Sequence, residues 1–155
     1  MSLNFPLHFS SVRQRLVLAV MTAALLVIVL APSSASASAY GVQYWGAFTV
    51  NVGGQNIGIP SGQLAHKVNG SGARIDSEWA HITTTPGFCN WRVDYVYRDA
   101  ENNREYRRIR TATQYGCDTW AYAPSVYPGN VRRGTACAQL YRSGAYVTRQ
   151  CHSIF

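Results

Sequence analysis

The strongest constraint on the fold is an alternation of polar and apolar side chains with a period of two. This pattern runs through residues 40–155 and leaves almost no helical periodicity. Turn-forming pairs such as Gly53 with Gly54, Pro86 with Gly87 and Ser143 with Gly144 interrupt it. Short alternating strands separated by turns are typical of a β-sandwich or barrel, so the sequence predicts an all-β fold.

The clearest strand covers residues 89–97. One of its faces contains Trp91, Val93, Tyr95 and Tyr97, and we expect this face to lie in the core. The next strand, residues 104–111, has arginines on both faces, which predicts an exposed sheet edge. Two further strands, residues 136–142 and 145–154, close the sequence across the turn at residues 143–144.

Four cysteines, Cys89, Cys117, Cys137 and Cys151, indicate two disulfides. The midpoint of the first two is position 103, inside a predicted loop, and the midpoint of the last two is Gly144. Partners in a hairpin are symmetric about its turn, and a three-residue turn with a bulge would place Cys137 opposite Cys151. The predicted pairs are therefore Cys89–Cys117 and Cys137–Cys151.

The first residues match a secretory signal peptide. Arginines precede an apolar stretch at residues 16–31, and small residues follow it up to Ala39. We predict cleavage after Ala39, with Ala37 as the second site, and secretion of the mature chain. The predicted organisation is a signal peptide at residues 1–39, an extended N-terminal strand segment at 40–60 and a disulfide-stapled β-sandwich at 61–155. The formal net charge of +7 favours acidic partners but does not bear on the fold.

No sequence signature of a hydrolase, a nucleotide-binding loop or a metal site is present. His66 and His81 fit half-buried strand positions, and Asp76 and Glu78 near His81 leave an acid–base or metal role open. We predict a protein that is not an enzyme, with no catalytic residues, no metal and no cofactor.

Aromatic and basic side chains supply two candidate binding surfaces. Trp120, Tyr122 and Tyr127 lie in a stretch with prolines and are candidate glycan-binding residues, or they pin the loop to the core. The arginines of residues 104–110 fit a solvated edge strand better than a nucleic-acid site, so we predict no nucleic-acid partner.

Residues 42–52 alternate over an unusual length and contain no cysteine. This segment is predicted either to be donated to another protein as an added strand or to be an ordinary first strand, turning at residues 53–54 to pair with residues 56–59. The candidate partner-binding residues are Val42, Tyr44, Trp45, Phe48, Val50, Val52 and Ile57.

Several short motifs carry a resemblance to a known family. They are PSGQLAH at residues 60–66, GSG at 70–72, CNWRVD at 89–94, ACAQLY at 136–141 and QCHSI at 150–154. With them the chain resembles small secreted proteins of filamentous high-GC Gram-positive bacteria, a family that includes the adaptor subunit of umbrella toxin particles. The resemblance implies that the N-terminal strand inserts into a cleft of a lectin subunit, while the adaptor also joins a large toxin subunit.

The prediction for function is therefore a secreted, non-enzymatic adaptor that links a lectin-like subunit to a large toxin subunit. After signal cleavage we expect no membrane association. The alternatives are a freestanding cell-wall or glycan-binding module, and a small secreted hydrolase or hydrolase inhibitor.

Overall fold

The computed structural model describes residues 38–125 and 129–155, and all regular secondary structure in these ranges is β-strand. The ten strands are β1 (Ala39–Trp45), β2 (Phe48–Val52), β3 (Gln55–Ile59), β4 (Gly62–Ser71), β5 (Arg74–Asp99), β6 (Glu105–Arg110), β7 (Gln114–Pro124), β8 (Gly129–Asn130), β9 (Gly134–Arg142) and β10 (Ala145–Ile154). The predicted all-β class is confirmed. The predicted signal peptide lies outside the described residues, apart from Ser38 and Ala39.

The central strand is β5, whose 26 residues pair with β4, β6, β7, β8 and β9. The path through this sheet is β1, β4, β5, β9 and β10, and all its pairings are antiparallel. The ladder between β5 and β7 shifts register between Thr83 and Phe88, around Pro86 and Gly87. Proline has no amide hydrogen to give to a ladder, which explains the interruption at this point.

The two halves of β5 lie in two layers that pack face to face. The phenol of Tyr95 donates a hydrogen bond to the carbonyl of Ala123 on β7, and the Tyr97 phenol donates to the carboxylate of Glu78. Between the layers is a core of fully buried apolar side chains that includes Leu64, Val68, Ile75, Ile82, Phe88, Val93 and Leu140.

The predicted faces of residues 89–97 are partly confirmed. Trp91, Val93, Tyr95 and Tyr97 are buried as expected. The opposite face is not uniformly exposed to solvent, because Asp94 is also fully buried. Arg92 and Arg108 reach its two carboxylate oxygens at 3.0 and 2.9 Å.

Both predicted disulfides are present. Cys89–Cys117 joins β5 to β7, Cys137–Cys151 joins β9 to β10, and the Cα atoms of each pair are 4.0 Å apart. The final hairpin differs in detail from the expected three-residue turn. Ser143 and Gly144 form a two-residue turn with φ values of 48° and 86°. A shift of one residue in the ladder between Tyr146 and Thr148 then places Cys151 opposite Cys137.

The N-terminal segment divides where one continuous strand was expected. β1 pairs with β4 from Ala39 to Trp45, and after Gly46 and Ala47 the chain forms a hairpin of β2 and β3. The turn at residues 53–54 is the one that the alternative interpretation predicted. The break has a structural anchor, since the Trp45 indole donates a 2.6 Å hydrogen bond to the Pro60 carbonyl and its ring packs near Phe88.

Candidate functional site

Asp76, Glu78 and His81, for which the sequence left an acid–base or metal role open, do not form a cluster in the structure. Glu78 points into the core, whereas His81 lies on the outer side of the same strand. Asp76 is exposed at a ladder irregularity and pairs with Arg74 at 2.8 Å. The sequence cluster of Asp76, Glu78 and His81 is therefore spread over both sides of the sheet.

Glu78 belongs instead to an internal polar network. His66 Nε2 lies 2.9 Å from one of its carboxylate oxygens, and Tyr97 donates to the other. Burial, followed by the charge of Glu78, raises the pKa of Tyr97 above its usual range. The ring of His152 stacks near that of His66, and burial lowers the pKa of His152. Because the His66 and Glu78 side chains are at most 1% exposed, this network is placed to satisfy polar groups of the core.

Potential metal ligands are also dispersed. Within residues 38–125 and 129–155 no three His, Cys, Asp or Glu side chains are grouped so that they could hold a metal ion. All four cysteines are in disulfides. No helix long and apolar enough to cross a membrane occurs in the described part of the chain.

Arg108, in the middle of the β6 arginine edge, binds one buried and one exposed acid, Asp94 and Glu105. Arg108 bonds Asp94 at 2.9 Å and Glu105 at 2.6 Å, and it also contacts Gln139 and Tyr141. The hydrogen bond from Arg108 lowers the pKa of the Glu105 carboxyl. As predicted, β6 lies at an edge, since it pairs only with β5 among the described strands. Its central arginine therefore has a structural role.

The β2–β3 hairpin has one apolar and one polar face. Cross-strand pairs Phe48 with Ile59 and Val50 with Ile57 lie on the apolar face. On the polar face, Asn51 donates to Asn56 at 3.1 Å. Because the pair forms a separate two-stranded sheet, the outer edges of both strands lack a strand partner within the described residues.

The base of the hairpin is attached to the main sheet. Ile59 is only 2% exposed, and Val50 and Ile57 pack partly against the core. Arg142 donates to the Gly58 carbonyl on β3 and lies 5.3 Å from the centre of the Phe88 ring. An open cavity of about 480 Å³ separates the hairpin from residues 86–87.

The seven predicted partner-binding residues fall into two groups. Val42, Tyr44 and Trp45 lie on β1, within the main sheet, and Trp45 is held at the base of the hairpin. Phe48, Val50, Val52 and Ile57 lie on the hairpin. Both groups follow the same alternation in the sequence, but the break at residues 46–47 places them in different sheets.

Two of the three predicted glycan-binding residues lie side by side. Trp120 and Tyr122 are 59% and 49% exposed on β7, and Tyr127 lies outside the described residues. The centroid of the His81 ring lies 4.2 Å from that of Trp120 and 5.7 Å from that of Tyr122. The Tyr122 ring also lies 5.9 Å from the Trp79 ring. Sequence reasoning placed His81 at a half-buried strand position, but it did not pair that strand with residues 120–122.

Searches for related proteins found no match: no family model fits the chain, and neither curated proteins nor solved structures resemble it significantly.

Proposed function

We propose that the mature chain is an exported, non-enzymatic adaptor and that the β2–β3 hairpin is its partner-binding element. The observation that carries the proposal is the amphipathic hairpin, whose two outer edges have no strand partner among the described residues. Isolated two-stranded hairpins are marginally stable in water, and an added strand or a covering surface stabilises them. A lectin-like subunit and a large toxin subunit are the partners that the family resemblance favours.

Strand β2 is the better edge for a partner. The carbonyl of Gly58 on β3 already accepts a hydrogen bond from Arg142, whereas none of the side-chain hydrogen bonds in the described part of the chain reaches the main chain of residues 48–52. Phe48 begins β2 and is 37% exposed on the apolar face. A strand added along β2 would form main-chain hydrogen bonds and would cover Phe48 at the same time.

Export is part of the same proposal. Two disulfides are typical of proteins that fold in oxidising compartments, and the sequence pattern of residues 1–39 is that of a signal peptide. The protein in the culture supernatant should therefore begin at Tyr40 or Ser38.

The test compares Phe48→Asp with Thr49→Asp. Both positions are exposed on β2, but they lie on opposite faces of the hairpin. We expect tagged wild-type protein and Thr49→Asp to retain lectin-like and toxin-like proteins from culture supernatant. Phe48→Asp should lose them, because binding would bury a carboxylate against apolar surface at a cost of several (about 2–7) kcal/mol.

Thermal unfolding of each variant serves as the control, and the melting temperatures should stay close to that of the wild type because both positions are exposed. If Phe48→Asp captures the same proteins as the wild type, the hairpin is not the binding element. If the wild type captures neither class of partner, the adaptor assignment is wrong.

A further inference from the structure

The outer face of one layer contains an arrangement of aromatic side chains that the hairpin does not use. Four strands, β1, β4, the first half of β5 and β7, lie side by side in this layer. The ladder places Tyr40 opposite Lys67 and Lys67 opposite Trp79. It also places His81 opposite Tyr122. Side chains from strands that are far apart in sequence therefore share one surface.

These rings form a continuous series across the strands. Tyr40 contacts Trp79 with centroids 6.2 Å apart, and Trp79 contacts Tyr122 at 5.9 Å. His81 lies between Tyr122 and Trp120, and its ring is nearly perpendicular to both, at 87° and 72°. We name Tyr40, Trp79, His81, Trp120 and Tyr122 the aromatic face.

The core does not require these rings. The inward positions of the same strands are filled by Ala80, Ile82, Ala121 and Ala123, which are at most 7% exposed. Tyr40, Trp120 and Tyr122 remain about half exposed. Apolar ring surface in water is unfavourable by about 25 cal/mol per Å², so a row of exposed rings on a rigid sheet indicates a surface that is covered in use.

Polar groups border the aromatic face on one side. An open depression of about 430 Å³ is lined by Tyr44, Gln63 and Thr83, among others. Thr83 is the cross-strand partner of Trp120, so the depression lies beside that exposed indole. Aromatic platforms next to amide and hydroxyl groups suit sugars, whose rings have C–H faces for stacking and hydroxyl groups for hydrogen bonding.

The charge of the surface narrows the ligand class further. Lys67 lies between Tyr40 and Trp79 in the cross-strand row, and it has no carboxylate within 4.0 Å among the described residues. Two nearby acids are paired elsewhere, Glu78 in the core and Asp76 with Arg74. Asp118, which accepts the Trp91 indole at 3.2 Å, keeps its negative charge at the Trp120 end of the face. At the Tyr40–Trp79 end of the face, Lys67 is therefore a cation without a carboxylate partner among the described residues, which favours an anionic ligand at this end.

We propose that the aromatic face binds an acidic polysaccharide whose sugar rings have carboxylate groups. A carboxylate attached to a sugar ring allows one residue to stack on Trp79 or Tyr40 and to pair with Lys67. Polyol-phosphate chains fit less well, because they lack sugar rings that could stack and because phosphate is recognised best by the bidentate guanidinium group of arginine.

The test measures the binding of mature protein to polygalacturonate, using its fully methyl-esterified form as a matched neutral ligand. We expect the free acid to bind and the ester to bind several-fold more weakly. Trp120→Ala should weaken binding about tenfold or more, since exposed tryptophans dominate such contacts, and Trp120→Phe should restore part of it. Lys67→Gln should remove the difference between acid and ester.

Two control variants separate this site from others. Tyr115 is on the same strand as Trp120 and is 79% exposed, but it makes no ring contact with the aromatic face, so Tyr115→Ala should bind as the wild type does. Phe48→Asp should also bind normally, which keeps this proposal independent of the hairpin. Unchanged binding in Trp120→Ala and Lys67→Gln would overturn the proposal, as would equal binding of acid and ester, or tighter binding of a teichoic acid.

Discussion

At the scale of single residues, the largest departure from the sequence expectation concerns Glu78. The sequence left an acid–base or metal role open for Glu78 because it lies near Asp76 and His81. The structure buries Glu78 with two hydrogen-bond partners, His66 and Tyr97, and leaves His81 on the outer face. Glu78 and His81 are three positions apart, and an odd separation along a strand places two side chains on opposite sides of the sheet.

This difference predicts unequal costs of substitution. Glu78→Ala should lower the free energy of unfolding by about 3 kcal/mol, because it leaves His66 and the Tyr97 phenol without their buried acceptor. His81→Ala should cost less than about 1 kcal/mol, since its ring is partly exposed and makes only ring contacts in the described region. Urea unfolding measures both values. Equal losses of unfolding free energy in the two variants would show that the buried network does not stabilise the fold more than the surface ring contacts do.

At the scale of strands, two hairpins of the C-terminal half followed from local signals. The turn at Ser143 and Gly144 and the symmetry of the cysteines were enough to predict the disulfides and two hairpins. The fate of residues 42–52 did not follow, because Gly46 marks a break without saying which sheet each part joins. The aromatic face was missed for a related reason. It depends on the pairing of β5 with β7, and alternation along one strand contains no information about a neighbouring strand.

The two parts of the N-terminal segment should respond differently to removal. Replacing residues 48–58 with a short Gly-Ser linker should leave the main sheet folded, because the hairpin pairs only with itself among the described strands and Val50 and Ile57 pack only partly against the core. Deleting residues 40–45 from the mature protein should destabilise the domain by several kcal/mol, since these residues pair with β4 and Trp45 packs by Phe88. Circular dichroism during thermal unfolding distinguishes the two. A domain that tolerates loss of β1 would instead make β1 the donated strand.

At the scale of the whole molecule, the main sheet supports two candidate binding surfaces, the β2–β3 hairpin and the aromatic face. The curled sheet, its two disulfides and its buried polar network hold the strands in place, and the disulfides contribute about 3 kcal/mol each in the chain-entropy account. The hairpin extends from one part of this sheet, while the aromatic face covers the outside of one layer. If both proposals hold, the hairpin would bind a protein partner and the aromatic face an acidic polysaccharide.

Amide hydrogen exchange of the mature protein, free and in complex with captured partner proteins, tests the central claim most directly. In the free protein we expect slow exchange in residues 41–45, which are paired in the main sheet, and fast exchange in residues 48–58 of the hairpin. In the complex, the amides of residues 48–52 should become strongly protected while β1 changes little. Protection of the hairpin in the free protein, or no change in the hairpin on complex formation, would contradict its role as the partner-binding element.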